Sequence, residues 1–322
     1  MPPKAVATEF ELIARLKARV ARSRSDPAVL IGIGDDAAVV RPESGMVLVT
    51  TTDSLVVGRH FQSDWPAEDV GYLALAVNLS DLAAMGAIAH WALLSLTLPE
   101  ADPEWLDRFL DGFLGLAKES TTTLVGGNIA AGPLNVGVTL IGQQDADALM
   151  PRSGARAGDA IMVTGTLGDA AAALRLGAQS PAELTRRLRR PSPRLEAGAA
   201  LASLATSMID VSDGLLADLQ HVVGDQLGAE IDLAALPTSS SLRGVIPDAT
   251  ERWHLQLSGG NDYELLFTLR PDRVDACRRA LSAMDVPSSV IGRIRNRPGI
   301  VCKRPDGGIL SANRYGWDHF ER

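Results

Sequence analysis

DADALMPRSGAR, residues 145–156, divides this chain into two. It is polar, carries Pro151 and Gly154, and shows no apolar period. Such a stretch between patterned segments reads as a boundary. AIMVT (160–164) follows almost at once and reads as a short buried strand, so a new folding unit begins there. The division predicts two domains of mixed α/β (α+β) class, 1–148 and 149–322. At 322 residues the chain is long enough for two sizeable cores.

Working outward, each half alternates helical and strand patterns. Upstream, Glu9 to about Val20 carries Phe10, Leu12, Ile13, Leu16 and Val20 on one side of a helix. Met46 to Thr52 reads as a strand running into Asp53. Ala67 to Met85 reads as a helix with acids in its first turn and Gly86 as its stop. Trp91–Leu98 and Leu134–Gly142 read as strands, and Pro103 to about Glu119 as a helix. Downstream, Gly168–Leu176, Glu183–Arg190, Pro193–Leu204, Gly214–Leu227 and Asp272–Met284 read as helices. Met208–Val211, Tyr263–Leu269, Ser289–Arg293 and Ile300–Lys303 read as strands.

The formal net charge is −8, which argues against a nucleic-acid surface. It leaves room for an anionic nucleotide, because bound metal inverts the local field. The two cysteines, Cys277 and Cys302, stand apart from any metal-ligand spacing and suit a reducing cytosol. The N-terminal segment lacks the apolar run of a secretion signal, and no run is long enough to span a bilayer. These features predict a cytoplasmic chain with no membrane partner.

The chemistry is concentrated in acidic residues set among Gly, Ala and β-branched side chains. They are Asp35 and Asp36 in GIGDDAAVV (32–40), Asp53 in TTDSLVVGRHF (51–61), Asp81 in ALAVNLSDLAAMGA (74–87), and Asp210 and Asp213 in IDVSDGLLADL (209–219). Any one of them reads as a turn or cap residue. Together they point to hard divalent cations, with Mg²⁺ holding a polyphosphate. Adjacent side chains do not easily share an ion, which favours Asp36 over Asp35. Thr51 and Thr52 offer hydroxyl or carbonyl oxygens beside Asp53. Asp213 reads equally as helix cap or ligand. GGNIAAGP (126–133) reads as a glycine-rich turn whose N–H groups could cradle phosphate, and it is not a Walker loop. His60 lies on the loop after Asp53 and is a candidate substrate contact. SGGNDYELLF (258–267) offers Asn261, Asp262 and Tyr263 to a pocket. YGWDHF (315–320) gathers Trp317 with other aromatics as a flat face for a planar heterocycle. No Ser/His/Asp or Cys/His arrangement for covalent catalysis is present.

Taken in order, GIGDDAAVV, TTDSLVVGRHF, ALAVNLSDLAAMGA, RSGARAGD (152–159), VTGTLGDAAAAL (163–174), RPSPR (190–194), DVSDGL (210–215), DYELLF (262–267) and GWDHF (316–320) resemble the thiamine-monophosphate kinase family. That family belongs to the superfamily built like aminoimidazole ribonucleotide synthetase. The resemblance runs from EFELIARL (9–16) to the C-terminus. It implies a two-domain PurM-like fold, with an N-terminal sheet domain that binds ATP and Mg²⁺ and pairs in a homodimer. The C-terminal domain would complete the nucleotide and substrate site. The implied reaction is transfer of the γ-phosphoryl group of ATP to thiamine monophosphate, without a covalent intermediate, helped by several Mg²⁺ ions. By position the resemblance implies metal ligation by Asp36, Thr51, Thr52, Asp53, Asp81, Asn128, Asp210 and Asp213. It implies nucleotide contacts from Gly127, Asn128, Arg152 and Ser212, and substrate contacts from His60, Asn261 and Trp317.

Two positions depart from the family pattern. Asn128 stands where an Asp is usual after the paired glycines, and Asn261 where a Glu is usual before Asp-Tyr-Glu. Each replaces an anion by an amide. They leave open a relative acting on another small acceptor, or a weakly catalytic nucleotide-binding protein.

Overall fold

A computed structural model describes residues 7–23 and 25–310. Two compact units emerge. One comprises the chain up to Leu82 together with Ile88–Ala146, and the other takes Ala83–Ala87 and the chain from Asp147. The change at Ala146 and Asp147 falls within DADALMPRSGAR.

The first unit contains α1 (Glu9–Ser23), β1 (Val29–Ile31), β2 (Val39–Val40), β3 (Met46–Val56), α2 (Ala67–Ala84), β4 (Ile88–Leu98), α3 (Pro103–Glu119), β5 (Thr123–Ala131) and β6 (Asn135–Asp145). The last two residues of α2 belong to the other unit. Its main sheet runs β3-β6-β4-β5, antiparallel except for the parallel pair β4 and β5. In α2 the apolar side chains Leu73, Leu75, Leu79 and Leu82 are all buried, so the helix is enclosed rather than one-faced. It lies against α3 through two glycines. A Cβ on Gly71 would fall 2.0 Å from the Phe109 oxygen, and one on Gly112 would fall 1.8 Å from the Glu68 oxygen. Only hydrogen fits at either point, so these glycines set the spacing of the helix pair. Asp102 caps α3 by accepting from the Glu104 and Trp105 amides.

The second unit contains β7 (Ala160–Thr164), α4 (Asp169–Leu176), α5 (Ala182–Arg189), α6 (Leu195–Leu201), β8 (Ser207–Asp210), α7 (Leu215–Val223), β9 (Gly228–Asp232), α8 (Ser240–Val245), α9 (Ala249–Ser258), β10 (Leu265–Leu269), α10 (Val274–Ser282), β11 (Ser288–Arg295), β12 (Gly299–Lys303) and β13 (Ile309–Leu310). Its sheet order is β13-β12-β9-β11-β7-β10-β8. One apolar core gathers Val163, Leu216, Leu219, Ile231 and Leu266, and a second gathers Met162, Met208, Phe267 and Leu281. Strand β10 is buried along its whole length, as expected where both faces of a sheet are covered.

Three local expectations are corrected. Thr51, Thr52 and Asp53 lie in the middle of β3, not at its end, because the strand continues to Val56 in register with β6. Gly126–Ala131 is strand, not turn: β5 bulges beside Ala92 and Leu93, and Gly127 (φ 148) occupies the close approach that the bulge creates. Tyr263 precedes β10 instead of opening it, because its backbone is left-handed (φ 49).

Candidate functional site

In the first unit a cavity of about 870 Å³ lies among α1, the loop after β1, and strands β4 and β5. Phe10, Ile13 and Leu16 contribute its apolar wall, and Asp36, Gly127 and Asn128 part of its polar lining. Asp36 follows Gly34 (φ 116), against which Lys17 lays its ammonium end. At Gly127 a Cβ would fall 1.9 Å from the Leu94 oxygen, so no other residue fits without moving the backbone. Asn128 is exposed, and its amide offers one neutral oxygen where an acid would offer two charged ones.

A second set forms between β3 and α2. The alternation of a strand puts Thr51 and Asp53 on one face and Thr52 on the other. Thr51 donates its hydroxyl to Asp81 at 2.5 Å. Burial pushes the Asp81 carboxyl up to about 6; the Thr51 bond opposes this shift and the Asp53 charge adds to it. Thr52 instead donates to the Val138 carbonyl at 3.1 Å, so its hydroxyl is directed away from Asp81. His60, on the loop after β3, accepts the Val56 amide at Nδ1 (3.0 Å). That bond places the ring proton of a neutral imidazole on Nε2.

In the second unit the loop from β8 to α7 carries Asp210, Ser212 and Asp213. Asp210 is buried and in register with Leu265. The N-cap of α7 is Gly214, with no capping side chain, so Asp213 is not the cap of that helix. The loop is instead held by Asp218, one turn into α7. Asp218 accepts the Asp213 amide at 3.2 Å and the Gly214 amide at 3.1 Å. Burial, then the charges of Asp210 and Asp213, push the Asp218 carboxyl up to about 8. Sequence reasoning missed this residue, although an acid inside the apolar run LLADL gave the same signal that drew attention to Asp81.

The rise has a consequence for the metal-free protein. Between the unfolded value of 3.8 and about 8, folded Asp218 keeps a proton that the unfolded chain has released. Its contribution to stability therefore falls as pH rises through that window. Asp218→Asn is expected to flatten this slope and to raise the melting temperature at the alkaline end by about 5 °C. Thermal melts of metal-free wild type and variant across the window check it.

Asn261 sits on the turn before β10. Its amide donates to the Ser212 carbonyl (2.8 Å), and the Tyr263 amide donates to the Val211 carbonyl (2.8 Å). The turn carrying Asn261 is thus tied to the loop carrying Asp210 and Asp213. Arg152 is exposed on a turn. Trp317 lies outside the described residues.

Sequence reasoning also missed a buried ionic group next to Asn261. Glu264 accepts from Arg187 Nη2, from Arg194 Nε and Nη2, and from the Thr164 hydroxyl, each at 2.7 Å. Burial acts to raise the Glu264 carboxyl, but the Arg194 bonds and the Arg194 and Arg187 charges outweigh it and hold it below the usual range.

Among the described residues no three acids, histidines or cysteines gather closely enough to hold an ion alone. Mg²⁺ can be held by one or two carboxylates, its other positions going to waters and phosphate oxygens, and Asp53 with Asp81, or Asp210 with Asp213, offers carboxylates of that kind. The Asp53 charge raises Asp81, and the charges of Asp210 and Asp213 both raise Asp218; a cation at either place would relieve that repulsion.

These features define a two-domain chain of the class built like aminoimidazole ribonucleotide synthetase. The family model for AIR synthase related protein, N-terminal domain, matches residues 34–144, and that for the C-terminal domain matches 156–303. A thiamine-monophosphate kinase of Escherichia coli (strain K12) is 44% identical, over 97% of this chain and 98% of its own length. Among solved structures, a thiamine-monophosphate kinase from Stenotrophomonas maltophilia superposes with a TM-score of 0.85 at 41% identity, covering 94% of this chain and 98% of the other. AaThiL, solved with AMPPCP and TMP, superposes with a TM-score of 0.75 at 32% identity, covering 97% of each chain. The chain belongs to the thiamine-monophosphate kinase family of AIR synthase related proteins.

Proposed function

We propose that this chain is an ATP-dependent kinase that transfers the γ-phosphoryl group of ATP directly to thiamine monophosphate. The products are thiamine diphosphate and ADP, and the step belongs to thiamine diphosphate biosynthesis. The observation that carries this reading is the near-complete overlap with thiamine-monophosphate kinases in both sequence and fold.

Asp36, Asp53, Asp81, Asp210 and Asp213 are the acidic ligands for several Mg²⁺ ions, with Thr51, Thr52 and the Asn128 carbonyl as neutral oxygens. When bound, these ions neutralise charge on the phosphates and on the transferring group. The chain itself supplies alignment. Gly127 brings backbone close to the nucleotide, Ser212 donates to it, and Arg152 offers a fork for phosphate oxygens. His60, Asn261 and Trp317 hold the acceptor. The acceptor phosphate is the nucleophile, so no side chain forms a bond to the transferred group. Catalysis then rests on orientation and charge neutralisation.

The same reading takes the protein to act in the cytoplasm as a homodimer. Among the described residues no helix is long and apolar enough to cross a membrane. Strand β3 is a long sheet edge, and Leu48 and Ile88 are exposed in register on either side of Gln143. An uncovered edge with apolar neighbours favours pairing with a second copy.

Asn128→Asp is expected to lower the Mg²⁺ concentration for half-maximal activity by about tenfold, because ligand charge sets cation affinity. An unchanged Mg²⁺ titration would remove Asn128 from the metal site.

Asn261 favours one further reading, a related acceptor. A side-by-side assay of thiamine monophosphate, thiamine and other small phosphates with ATP and Mg²⁺ decides between them. Turnover of thiamine monophosphate above all others is expected, and turnover only with another acceptor would replace it.

A further inference from the structure

Residues 260–263 take an unusual course. Gly260 (φ 67), Asn261 (φ 58) and Tyr263 (φ 49) are all left-handed. Glycine adopts that region freely and asparagine tolerates it, but for a tyrosine it is a strained outlier. Such backbone persists only where its surroundings over-determine it.

The surroundings are those of two buried acids. Along 261–264 burial alternates: Asn261 and Tyr263 are half-buried, while Asp262 and Glu264 are enclosed. Asp262 accepts the Gly168 amide with both carboxylate oxygens, at 2.9 and 3.0 Å. Glu264 is gripped by Arg187, Arg194 and Thr164. Between them, the Tyr263 hydroxyl reaches the Asn261 Oδ1 at 3.4 Å. That contact engages the oxygen of the Asn261 amide and uses neither of its two N–H donors.

We propose that Asp262 and Glu264 are positioning residues for the phosphoryl acceptor, holding Asn261 and Tyr263 together as one recognition element. The inference rests on the reading of Asn261 as an acceptor contact. Asp262 fixes one end of the element to the turn before α4, and Glu264 fixes the other to α5 and to Arg194 before α6. The Ser212 and Val211 carbonyls hold its backbone in between. Tyr263 sets the Asn261 amide so that it donates to the acceptor, where a carboxylate would accept.

The test is a comparison of wild type, Asp262→Ala and Asp262→Asn, measuring KM for thiamine monophosphate, KM for ATP and kcat. Asp262→Ala is expected to raise the acceptor KM by about tenfold or more while KM for ATP stays within about twofold, since a small misplacement acts on the group it orients. Asp262→Asn keeps an oxygen for the Gly168 amide and is expected to return the acceptor KM to within about threefold of wild type. A merely structural role would lower kcat through loss of active protein and leave both KM values unchanged, and that result overturns the proposal. An equal rise in both KM values also overturns it. Should Asp262→Ala fail to fold, Arg187→Lys is read in the same way, because Arg194 still pairs with Glu264 in it. Wild type that cannot phosphorylate thiamine monophosphate overturns the function and this role with it. Active wild type beside an unshifted, folded variant overturns this role alone.

Discussion

Asp53→Ala is expected to lower kcat by about a thousandfold while leaving the fold intact. The side chain is exposed in the middle of β3, so its loss opens no cavity. Asp53 and Asp81 repel each other where no cation lies between them, and removing one charge relieves the other. The metal-free variant should therefore melt no lower than wild type, while the Mg²⁺-dependent step collapses. Paired melting curves and initial rates at saturating ATP and Mg²⁺ check both halves. A folded variant with near-normal turnover would remove Asp53 from the metal site.

Glu264→Ala should act in the opposite way, on stability first. Glu264 is fully enclosed, and Arg187 and Arg194 are mostly buried around it. Removing the acid takes the carboxylate away from two guanidinium groups; Arg187 keeps Asp169 at 3.6 Å and the Thr166 carbonyl at 3.4 Å. Breaking a buried pair by deleting one partner costs about 3–5 kcal/mol. For a unit of this size that corresponds to a fall in melting temperature of about 10 °C. Glu264→Gln retains acceptor capacity and should fall between the variant and wild type. A melting temperature for Glu264→Ala within about 2 °C of wild type would mean that the ionic group contributes little net stability.

Much of this was legible in the sequence, for identifiable reasons. Helix α2 declares itself by length and by cap and stop residues, α3 by length, β4 by an apolar run and β6 by alternation. The polar stretch 145–156, with no period, marks a division expected at residue 148, and the two units part at Ala146 and Asp147. What was missed lacks local signal. Strand β9 (GAEID) is short, and only its pairing with β11 and β12 makes it a strand. The glycines at 126 and 127 look like a turn because the tight approach of β4, which requires glycine at 127, is a tertiary fact. Helices α8 and α9 lie in a polar region where their caps, Ser239 and Asp248, were the available clues.

The site divides along the same line. Asp36, Asp53, Asp81, Asp210 and Asp213 stand out because an acid among apolar neighbours is anomalous within a short window. The Glu264 group does not. Arg187, Arg194 and Glu264 are each ordinary locally, and they meet only when α5, the segment before α6, and the start of β10 converge. Asp218 was visible by the anomaly rule and overlooked. The left-handed course of Asn261 and Tyr263 has a partial signal in the preceding Gly259 and Gly260, but nothing in the local sequence shows that a tyrosine should adopt it.

The central claim is direct transfer from ATP to thiamine monophosphate. Its most direct measurement follows an isotope-labelled γ-phosphate during incubation of the purified protein with ATP, Mg²⁺ and thiamine monophosphate. The account predicts label in the terminal phosphate of thiamine diphosphate, with one ADP formed for each labelled product. Label released as inorganic phosphate, or carried to a different acceptor, with no labelled thiamine diphosphate, would contradict it.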